Sequence, residues 1–230
     1  MLDGPGSPGG DREGPRNVRV IAIDGPAGSG KSTVGRLLAD RLGLTYLDTG
    51  AMYRAVAFAA IRRGVDPTEQ EPVAQLARSV ELSVDDGSVR VDGVDATVEI
   101  RRAEVSRAVS HVAANPGVRE ELRDRQRDWA KDHGGGVIEG RDIGSVVFPD
   151  AVLKVYLTAD PEVRAQRRAA EMGDVDAARI AADIERRDAM DRNREHSPLV
   201  TPDGAVTVDT TGLSIDDVLN LLVSLVEERS

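Results

Sequence analysis

The first regular pattern in the chain is a short apolar stretch followed by a helical repeat. Residues 18–24 (VRVIAID) alternate and then run apolar, which is typical of a buried strand in a parallel sheet. A Gly-rich turn follows, and Gly43 marks the end of a predicted helix. One face of this helix carries Val34, Leu37, Leu38 and Leu42. The pattern therefore begins with a strand–turn–helix unit.

Strands and helices then alternate along the rest of the chain. Predicted strands lie near residues 45–47, 137–139, 151–158 and 206–208. Predicted helices lie at about 51–64, 101–114 and 117–132, after 160, after 177, and from 214 to about 228. Asp160 followed by Pro161 is typical of a helix start, and Ser214 with Asp217 forms a capping box. This order predicts an α/β fold in which helices cover both faces of a parallel sheet.

Two segments depart from the alternation. Residues 81–100 are Val-rich, with turn signals at 85–87 and 92–93, which predicts a small antiparallel sheet. We interpret residues 66–100 as an insertion into a single domain spanning 18–230. Residues 171–177 (EMGDVDA) interrupt a helical pattern and predict a short lid at about 170–178.

Residues 1–17 (MLDGPGSPGGDREGPRN) are rich in Gly, Pro and charge. This composition predicts a disordered, passive leader rather than a signal peptide. The longest apolar runs, such as residues 55–61 (AVAFAAI), fall far short of the roughly 20 residues that a membrane span needs. We therefore expect a cytoplasmic protein without a membrane partner.

Composition narrows the possible chemistry. The chain has no cysteine, which excludes disulfides, thiolate metal sites and cysteine nucleophiles. Its net charge of −10 argues against a nucleic-acid partner. Of the 30 basic residues, only Lys31, Lys131 and Lys154 are lysines, and the other 27 are arginines, whose planar donors match phosphate oxygens in pairs. Solvated helix faces account for most arginines, so each candidate needs a positional argument.

The strongest local signal is the segment 25–33 (GPAGSGKST), which fits G-x-x-x-x-G-K-[ST] at every fixed position. Glycines let the backbone curl so that N–H groups point at one centre, and the following helix adds its positive end. Lys31 can reach the β- and γ-phosphates, and the Ser32 hydroxyl can ligate Mg²⁺. The strand before the motif and the helix after it supply the context that phosphate binding requires. The predicted ATP-binding residues are Gly25, Pro26, Ala27, Gly28, Ser29, Gly30, Lys31, Ser32 and Thr33.

Several classes of phosphate-loop protein lack support in this sequence. No lysine follows an asparagine, so the Asn-Lys-x-Asp guanine motif of GTPases is absent. An LSGGQ-like segment of transporter ATPases is also absent, and nucleic-acid motors are usually longer and more basic. Small-molecule kinases remain. A kinase for another small acceptor, such as UMP or AMP, and a nucleotide sensor without catalysis stay open as alternatives.

Four blocks resemble the bacterial cytidylate kinases, a family of P-loop nucleoside monophosphate kinases. They are IDGPAGSGKST at 23–33, LDTGAMYR at 47–54, EGRDIGSVVFPDA at 139–151 and RRDAMDRNREHSPL at 186–199. The resemblance extends from about 18 to 226 and implies the P-loop NMP-kinase fold with an enlarged monophosphate-binding lobe. It also implies a monomer that transfers a phosphoryl group from ATP to CMP or dCMP with Mg²⁺.

The resemblance assigns the acceptor phosphate to Arg54 and Arg141, and a further nucleotide contact to Thr49, where the family often has serine. Asp191 would contact the ribose, with Arg187 and Arg194 near the phosphates. These three residues are spaced i, i+4 and i+7, so we expect them on one helix face. The alternatives are that Arg54 only decorates its helix and that the later row is a solvated ladder of ion pairs.

The resemblance assigns base selection to Asp142, Arg119 and Ser110. A carboxylate can accept from the N4 amine of cytosine, while an arginine and a hydroxyl serve its acceptor edge. Uracil would leave such buried groups mispaired. The alternatives are an Asp142–Arg141 ion pair and an ordinary helix position for Ser110.

No catalytic base is expected, because the second pKa of a phosphate monoester is about 6 and the acceptor is already largely dianionic. The catalytic burden is then charge neutralisation and alignment, which the resemblance assigns to Lys31, Arg141 and Arg187. Glu139 and Asp142 are candidates for a magnesium carboxylate by position alone. Arg164, Arg167 and Arg168 share a helix face before the predicted lid and are expected to meet ATP on closure. His111, His133 and His196 need no chemical role.

Overall fold

The computed structural model describes residues 18–85, 87–172 and 176–229, and the predicted leader (1–17) lies outside these ranges. Its main sheet has five parallel strands in the order β2-β6-β1-β7-β8. They are β1 (Arg19–Asp24), β2 (Tyr46–Asp48), β6 (Gly135–Gly140), β7 (Leu153–Thr158) and β8 (Val206–Asp209). The predicted parallel sheet is therefore confirmed.

Eight helices surround the sheets in the described part of the chain. They are α1 (Lys31–Leu42), α2 (Thr49–Arg62), α3 (Gln70–Ser79), α4 (Ala103–Ala114), α5 (Pro116–His133), α6 (Pro161–Met172), α7 (Ala177–Arg192) and α8 (Ile215–Glu227). Alternate residues of β1 point to opposite faces of the sheet. Val20 and Ala22 pack with residues of α2, α4 and α5, whereas Ile21 and Ile23 pack with residues of α1 and α8. Both faces are covered, as the alternation of elements predicts.

A second, antiparallel sheet consists of β3 (Leu82–Asp85), β4 (Ser88–Val91) and β5 (Val94–Asp95), and confirms the prediction for residues 81–100. Val89 and Val91 are buried in the same apolar cluster as α2. The small sheet therefore rests directly on the helix that follows β2.

Local capping explains where several helices begin. The carboxylate of Asp48 accepts a hydrogen bond from the Ala51 amide at 3.0 Å, so α2 starts at Thr49, two residues earlier than expected. Ser214 and Asp217 form the predicted capping box of α8. One helical prediction is wrong in detail. Leu37 does not share the buried face of Val34 and Leu38 but is 39% exposed.

The predicted lid also requires a correction. The helix α6 continues to Met172, so the expected interruption at residue 171 begins too early, and α7 starts at Ala177. Residues 173–175, the centre of the predicted lid, lie outside the described residues. No helix within the described ranges is both long and apolar enough to cross a membrane.

The carboxyl ends of neighbouring parallel strands meet at one edge of the sheet, where α/β proteins bind ligands. At this edge β1 leads into the glycine-rich loop, β2 into α2, and β6 into Arg141 and Asp142. Three of the four sequence blocks thus converge on one location.

Candidate active site

The loop between β1 and α1 has the curled backbone that its glycines predict. Gly25, Gly28 and Gly30 all have positive φ angles, of 150°, 74° and 91°. A Cβ atom on Gly25 would lie 2.0 Å from the carbonyl oxygen of Leu157, and one on Gly28 would lie 2.7 Å from that of Arg164. Only glycine fits these positions without moving backbone.

Lys31 is the first residue of α1, and it is buried beneath the loop. Its Nζ atom donates to the carbonyl oxygen of Pro26 at 2.7 Å. Burial, followed by the charge of Arg141, lowers the pKa of Lys31 to about 7. The charges of Glu139, Asp188 and Asp24 oppose this shift only in part, and a phosphate anion would oppose it further.

Ser32, Tyr46 and Glu139 form a compact polar cluster beside Lys31. Both hydroxyl groups donate to Oε1 of Glu139, each at 2.6 Å. Oε2 of Glu139 is buried and has no hydrogen-bond partner among the residues that the structure describes. Burial and the charge of Asp48 raise the pKa of Glu139 to about 6, and the charge of Lys31 and the two hydroxyl groups oppose the rise.

This cluster fits a magnesium ion. Mg²⁺ prefers oxygen ligands and is commonly held by one or two protein groups together with substrate phosphates. The unpartnered Oε2 of Glu139 and the Ser32 hydroxyl supply such groups next to the loop. The described residues contain no group of three or more His, Asp or Glu side chains that could hold a metal by themselves. Phosphate oxygens would therefore have to complete the coordination.

Several cations face the same space without full compensation. Burial, followed by the charges of Arg187 and Arg168, lowers the pKa of Arg54 to about 9. Burial, followed by the charge of Arg141, lowers the pKa of Arg187 to about 10. Arg54 donates to Ser106 Oγ at 3.0 Å, so it does not merely decorate α2. Guanidinium groups stay charged at neutral pH, and the cluster is therefore suited to a multiply charged anion.

Asp191 holds two of the predicted arginines in place. Its carboxylate accepts from Arg141 Nε at 2.7 Å and also from Arg194 Nη2. Arg141 additionally donates from Nη1 to the carbonyl oxygen of Gly25 at 2.8 Å. The side chains of Asp191 and Arg194 are each 8% exposed, so the alternative of a solvated ladder is wrong.

The expected single helix face for this row is also wrong. Arg187 and Asp191 belong to α7, but the helix ends at Arg192, and Arg194 lies two residues beyond it. The chain leaves the helix at Asn193 and still brings Arg194 back to the Asp191 carboxylate. An ion pair, rather than helical periodicity, places Arg194.

Arg119 and Asp142 form a buried ion pair at the other end of the site. The alternative that Asp142 pairs with Arg141 is wrong, because Arg141 is engaged by Asp191 instead. The guanidinium of Arg119 lies 5.5 Å from the ring centroid of Tyr53. Its Nε atom is buried, and no hydrogen-bond acceptor meets it within the described part of the chain. Ser110 lies on α4 and lines the same cleft.

Thr49 is buried at the start of α2, and its hydroxyl donates to the backbone oxygen of Glu139 at 2.6 Å. Its hydrogen is thus committed to the protein, and only the oxygen lone pairs can face a ligand.

One open cleft joins the loop to the acceptor-side residues. It is lined by six of the nine loop residues: Ala27, Gly28, Gly30, Lys31, Ser32 and Thr33. It is also lined by all the predicted acceptor-side residues: Thr49, Arg54, Ser110, Arg119, Arg141, Asp142, Arg187, Asp191 and Arg194. Gly25, Pro26 and Ser29 are not among the lining residues, and the Ser29 hydroxyl donates to the Pro26 carbonyl oxygen within the loop at 3.1 Å.

The three predicted lid arginines do not act alike. Arg164 is buried, pairs with Asp188 and donates to the Ala27 carbonyl oxygen at 3.0 Å, so it ties α6 and α7 to the loop. Arg167 donates to Thr210 through both terminal nitrogens, at 2.8 Å each. Of the three, Arg168 alone lines the cleft.

Sequence reasoning missed several residues that complete the site. Tyr46, Tyr53 and Arg101 are absent from the predictions, although Tyr53 belongs to the LDTGAMYR block. The spacing of Tyr53 one residue before Arg54 could have indicated it. No local signal distinguishes Tyr46 or Arg101 from ordinary strand and turn residues.

Comparison with known proteins agrees with this geometry. The family model described as cytidylate kinase matches residues 21–228. The chain is 50% identical over 215 residues to the cytidylate kinase of Pelotomaculum thermopropionicum (strain DSM 13744 / JCM 10971 / SI), covering 90% of this chain and 95% of that protein. It is 48% identical over 220 residues to the cytidylate kinase of Rhodococcus opacus (strain B4), covering 92% and 96%.

A solved structure shares the fold. The crystal structure of an uncharacterized protein from Eubacterium ventriosum ATCC 27560 aligns with a TM-score of 0.53 at 13% identity, covering 92% of this chain and 99% of that one. At this identity the likeness concerns the fold alone. The sequence relatives and the match over residues 21–228 carry the assignment, and by them this chain belongs to the cytidylate kinase family.

Proposed function

We propose that this chain transfers the γ-phosphoryl group of ATP to CMP or dCMP, giving ADP and CDP or dCDP. The observation that carries the proposal is the shared cleft, in which a phosphate-binding loop faces Arg54, Arg141 and Arg187. Burial and then neighbouring arginines lower the pKa values of Arg54 and Arg187, so an anionic partner would offset positive charge that nearby carboxylates balance only in part. Two phosphate-bearing substrates would supply that partner.

The transfer needs alignment and charge neutralisation rather than a base. An oxygen of the acceptor phosphate attacks the γ-phosphorus, and the bond to the bridging β,γ-oxygen breaks, so the electron pair leaves with ADP. Lys31 donates to the carbonyl oxygen of Pro26 and Arg141 to that of Gly25, so both cations adjoin the loop and can hold the negative charge of the transferring group. Arg54 and Arg187 can fix the acceptor phosphate in line.

A magnesium ion, when bound, would offset phosphate charge in this reaction. Ser32 and Glu139 are the residues that would hold it, because the unpartnered Glu139 Oε2 and the Ser32 hydroxyl adjoin the loop. Tyr46 fixes the other oxygen of the Glu139 carboxylate. Asp142 is less suitable as a ligand, since it is paired with Arg119.

The Arg119–Asp142 pair supports the assignment of cytosine. A carboxylate accepts from the N4 amine of cytosine, whereas the Arg119 Nε–H and Ser110 can serve N3 and O2. Uracil would turn a carbonyl toward the carboxylate and an N–H toward the arginine, leaving buried groups mispaired. Asp191 would accept from the ribose, and this contact does not exclude the deoxy sugar.

The remaining elements have supporting roles in this proposal. Residues 66–100 form the acceptor lobe, since their small sheet packs on α2, which carries Arg54. Arg168 reaches the cleft from α6 and would meet ATP as the lid closes. Every group named comes from one chain, so a monomer suffices.

The test is an acceptor panel in which ADP release is measured with CMP, dCMP, UMP and AMP at equal concentrations. CMP and dCMP should react fastest, with CDP or dCDP as product. Arg54→Ala should raise the KM for CMP, whereas Arg62→Ala, an exposed arginine on the same helix, should not. Rates with UMP or AMP equal to those with CMP would overturn the cytidine assignment. Nucleotide binding without any CDP at high enzyme concentration would indicate a sensor.

A further inference from the structure

Asp24 is the last residue of the central strand β1, and its side chain is fully buried. Both carboxylate oxygens accept backbone hydrogen bonds from one distant segment. Oδ1 accepts from the Ile143 amide at 2.8 Å, and Oδ2 accepts from the Gly144 amide at 2.7 Å. Asp24 thus joins the strand that leads into the phosphate loop to the segment that follows β6.

The partner segment begins a short helical turn (residues 143–147) directly after Arg141 and Asp142. The first amides of a helical turn have no acceptor within the turn itself. Asp24 satisfies two of them, and the Asp142 carbonyl oxygen accepts from Val146 and Val147 further along. The conformation of the turn that starts at Asp142 therefore depends on the Asp24 carboxylate.

The neighbouring residue strengthens this link. The carbonyl oxygen of Gly25 accepts from Arg141 Nη1 at 2.8 Å. The dipeptide 24–25 consequently holds the segment 141–144 at two points, one before and one after Asp142. Gly25 is also the first residue of the phosphate loop, so the same dipeptide sets the position of the donor-side loop.

We propose that Asp24 is a positioning residue for acceptor recognition, which fixes Asp142 and Arg141 relative to the phosphate loop. The inference rests on the proposed function, because it requires that Asp142 reads the base and Arg141 meets the phosphate. Asp24 is not among the residues that line the cleft. Its effect must therefore pass through the segment 141–144.

Asp24→Asn tests this role, because it keeps the size of the side chain but replaces one accepting oxygen with an NH2 group. That group cannot accept a hydrogen bond, so one of the two backbone amides loses its acceptor. The affinities for CMP, UMP and metal-free ADP are measured by calorimetry, and turnover of CMP is measured alongside. The Kd for CMP should rise at least about tenfold, while that for ADP should change by less than about twofold. Discrimination between CMP and UMP should fall at least about fivefold.

Three controls separate positioning from other effects. Asp66→Asn alters a carboxylate that also accepts a backbone amide, from Thr68 at 2.9 Å, but lies in an exposed turn, and it should change none of these affinities. Asp24→Asn is combined with Asp142→Asn. If Asp24 acts through Asp142, the second substitution should remove less than about twofold of further discrimination. Asp24→Ser, which retains one acceptor oxygen, repeats the test with a smaller side chain.

The outcomes are distinct. Equal losses for CMP and ADP, full additivity with Asp142→Asn, or unfolding of both Asp24 variants would assign Asp24 to general stability and overturn the proposal. Failure of the wild-type chain to phosphorylate CMP would instead remove the proposed function. A selective loss for CMP with intact ADP binding supports the positioning role.

Discussion

Arg119 and Asp142 pair with each other inside the cleft, and both side chains are buried. Removing one partner from a buried ion pair leaves an uncompensated charge, which is far costlier than replacing both. Because the pair lines the cleft, it can also recognise a ligand that donates a hydrogen bond to Asp142 and accepts one from Arg119. Cytosine has this complementarity.

Asp142→Asn should lower kcat/KM for CMP by about 100-fold, because the buried amide cannot replace the charge that faces Arg119 and the N4 amine. The affinity for ATP should stay within about twofold, because the Asp142 carboxylate pairs with Arg119 rather than with a residue of the phosphate loop. Steady-state kinetics and equilibrium ATP binding measure the two effects. The exposed Asp150→Asn is the matched control. Losses of equal size for both ligands would assign Asp142 to structure instead.

Asp191→Ala should lower kcat/KM by at least about 100-fold with either acceptor, because Arg141 and Arg194 lose the carboxylate that orients both of them. If the carboxylate also accepts from the 2′-hydroxyl, the loss should be larger with CMP than with dCMP. Arg192→Ala, at an exposed neighbouring position, serves as control and should retain activity. An Asp191→Ala enzyme with unchanged kinetics would contradict the assigned contacts.

Glu139→Gln should raise the magnesium concentration for half-maximal activity by at least about tenfold, because it removes the charge of the unpartnered oxygen. Tyr46→Phe should raise it by about threefold, since Ser32 still holds the carboxylate. Calorimetric comparison of ADP binding with and without Mg²⁺ gives a readout without turnover. Tyr156→Phe, on β7 outside the cleft lining, is the control. Wild-type metal dependence in Glu139→Gln would exclude Glu139 as a ligand.

The pH dependence of stability should carry a signature of Asp24. Burial raises the pKa of Asp24 from its ordinary 3.8 to about 6, and the hydrogen bonds from the Gly144 and Ile143 amides oppose this rise. Between these values the folded state binds more protons than the unfolded state, so the contribution of Asp24 to stability falls as pH rises. The change corresponds to about 2 kcal/mol between pH 4 and pH 7, because the unfolded carboxyl group is already partly ionised at pH 4.

Urea unfolding of the wild type and Asp24→Asn across this range measures that change. The unfolding free energy of the wild type minus that of the variant should be larger at pH 4 than at pH 7. Parallel curves for the two proteins would show that Asp24 does not titrate in this window.

Much of the fold follows from local patterns that the sequence displays openly. The strand–loop–helix unit around Lys31 combines an apolar strand, a fixed glycine spacing and a helix closed by Gly43, whose φ of 63° matches its capping role. The capping box at Ser214 and Asp217 is equally local. Each of these predictions depends on residues only a few positions apart.

Other features depend on contacts between distant segments, which no local pattern displays. The Asp24 carboxylate accepts hydrogen bonds from amides about 120 positions later in the chain. Tyr46 on β2 donates to Glu139 on the neighbouring strand β6. Arg194 lies beyond the end of α7 and reaches the site through its ion pair with Asp191. Arg164 and Arg168 are four residues apart on the same helix, but Arg164 forms a buried ion pair with Asp188 whereas Arg168 lines the cleft. Helical periodicity alone could not distinguish these two roles.

The most direct test of the account is a crystal structure of the protein with CMP bound. The phosphate of CMP should lie among Arg54, Arg141 and Arg187, and its N4 amine should donate to the Asp142 carboxylate. A CMP molecule bound outside the cleft, or inside it with its phosphate away from these arginines, would contradict the central claim.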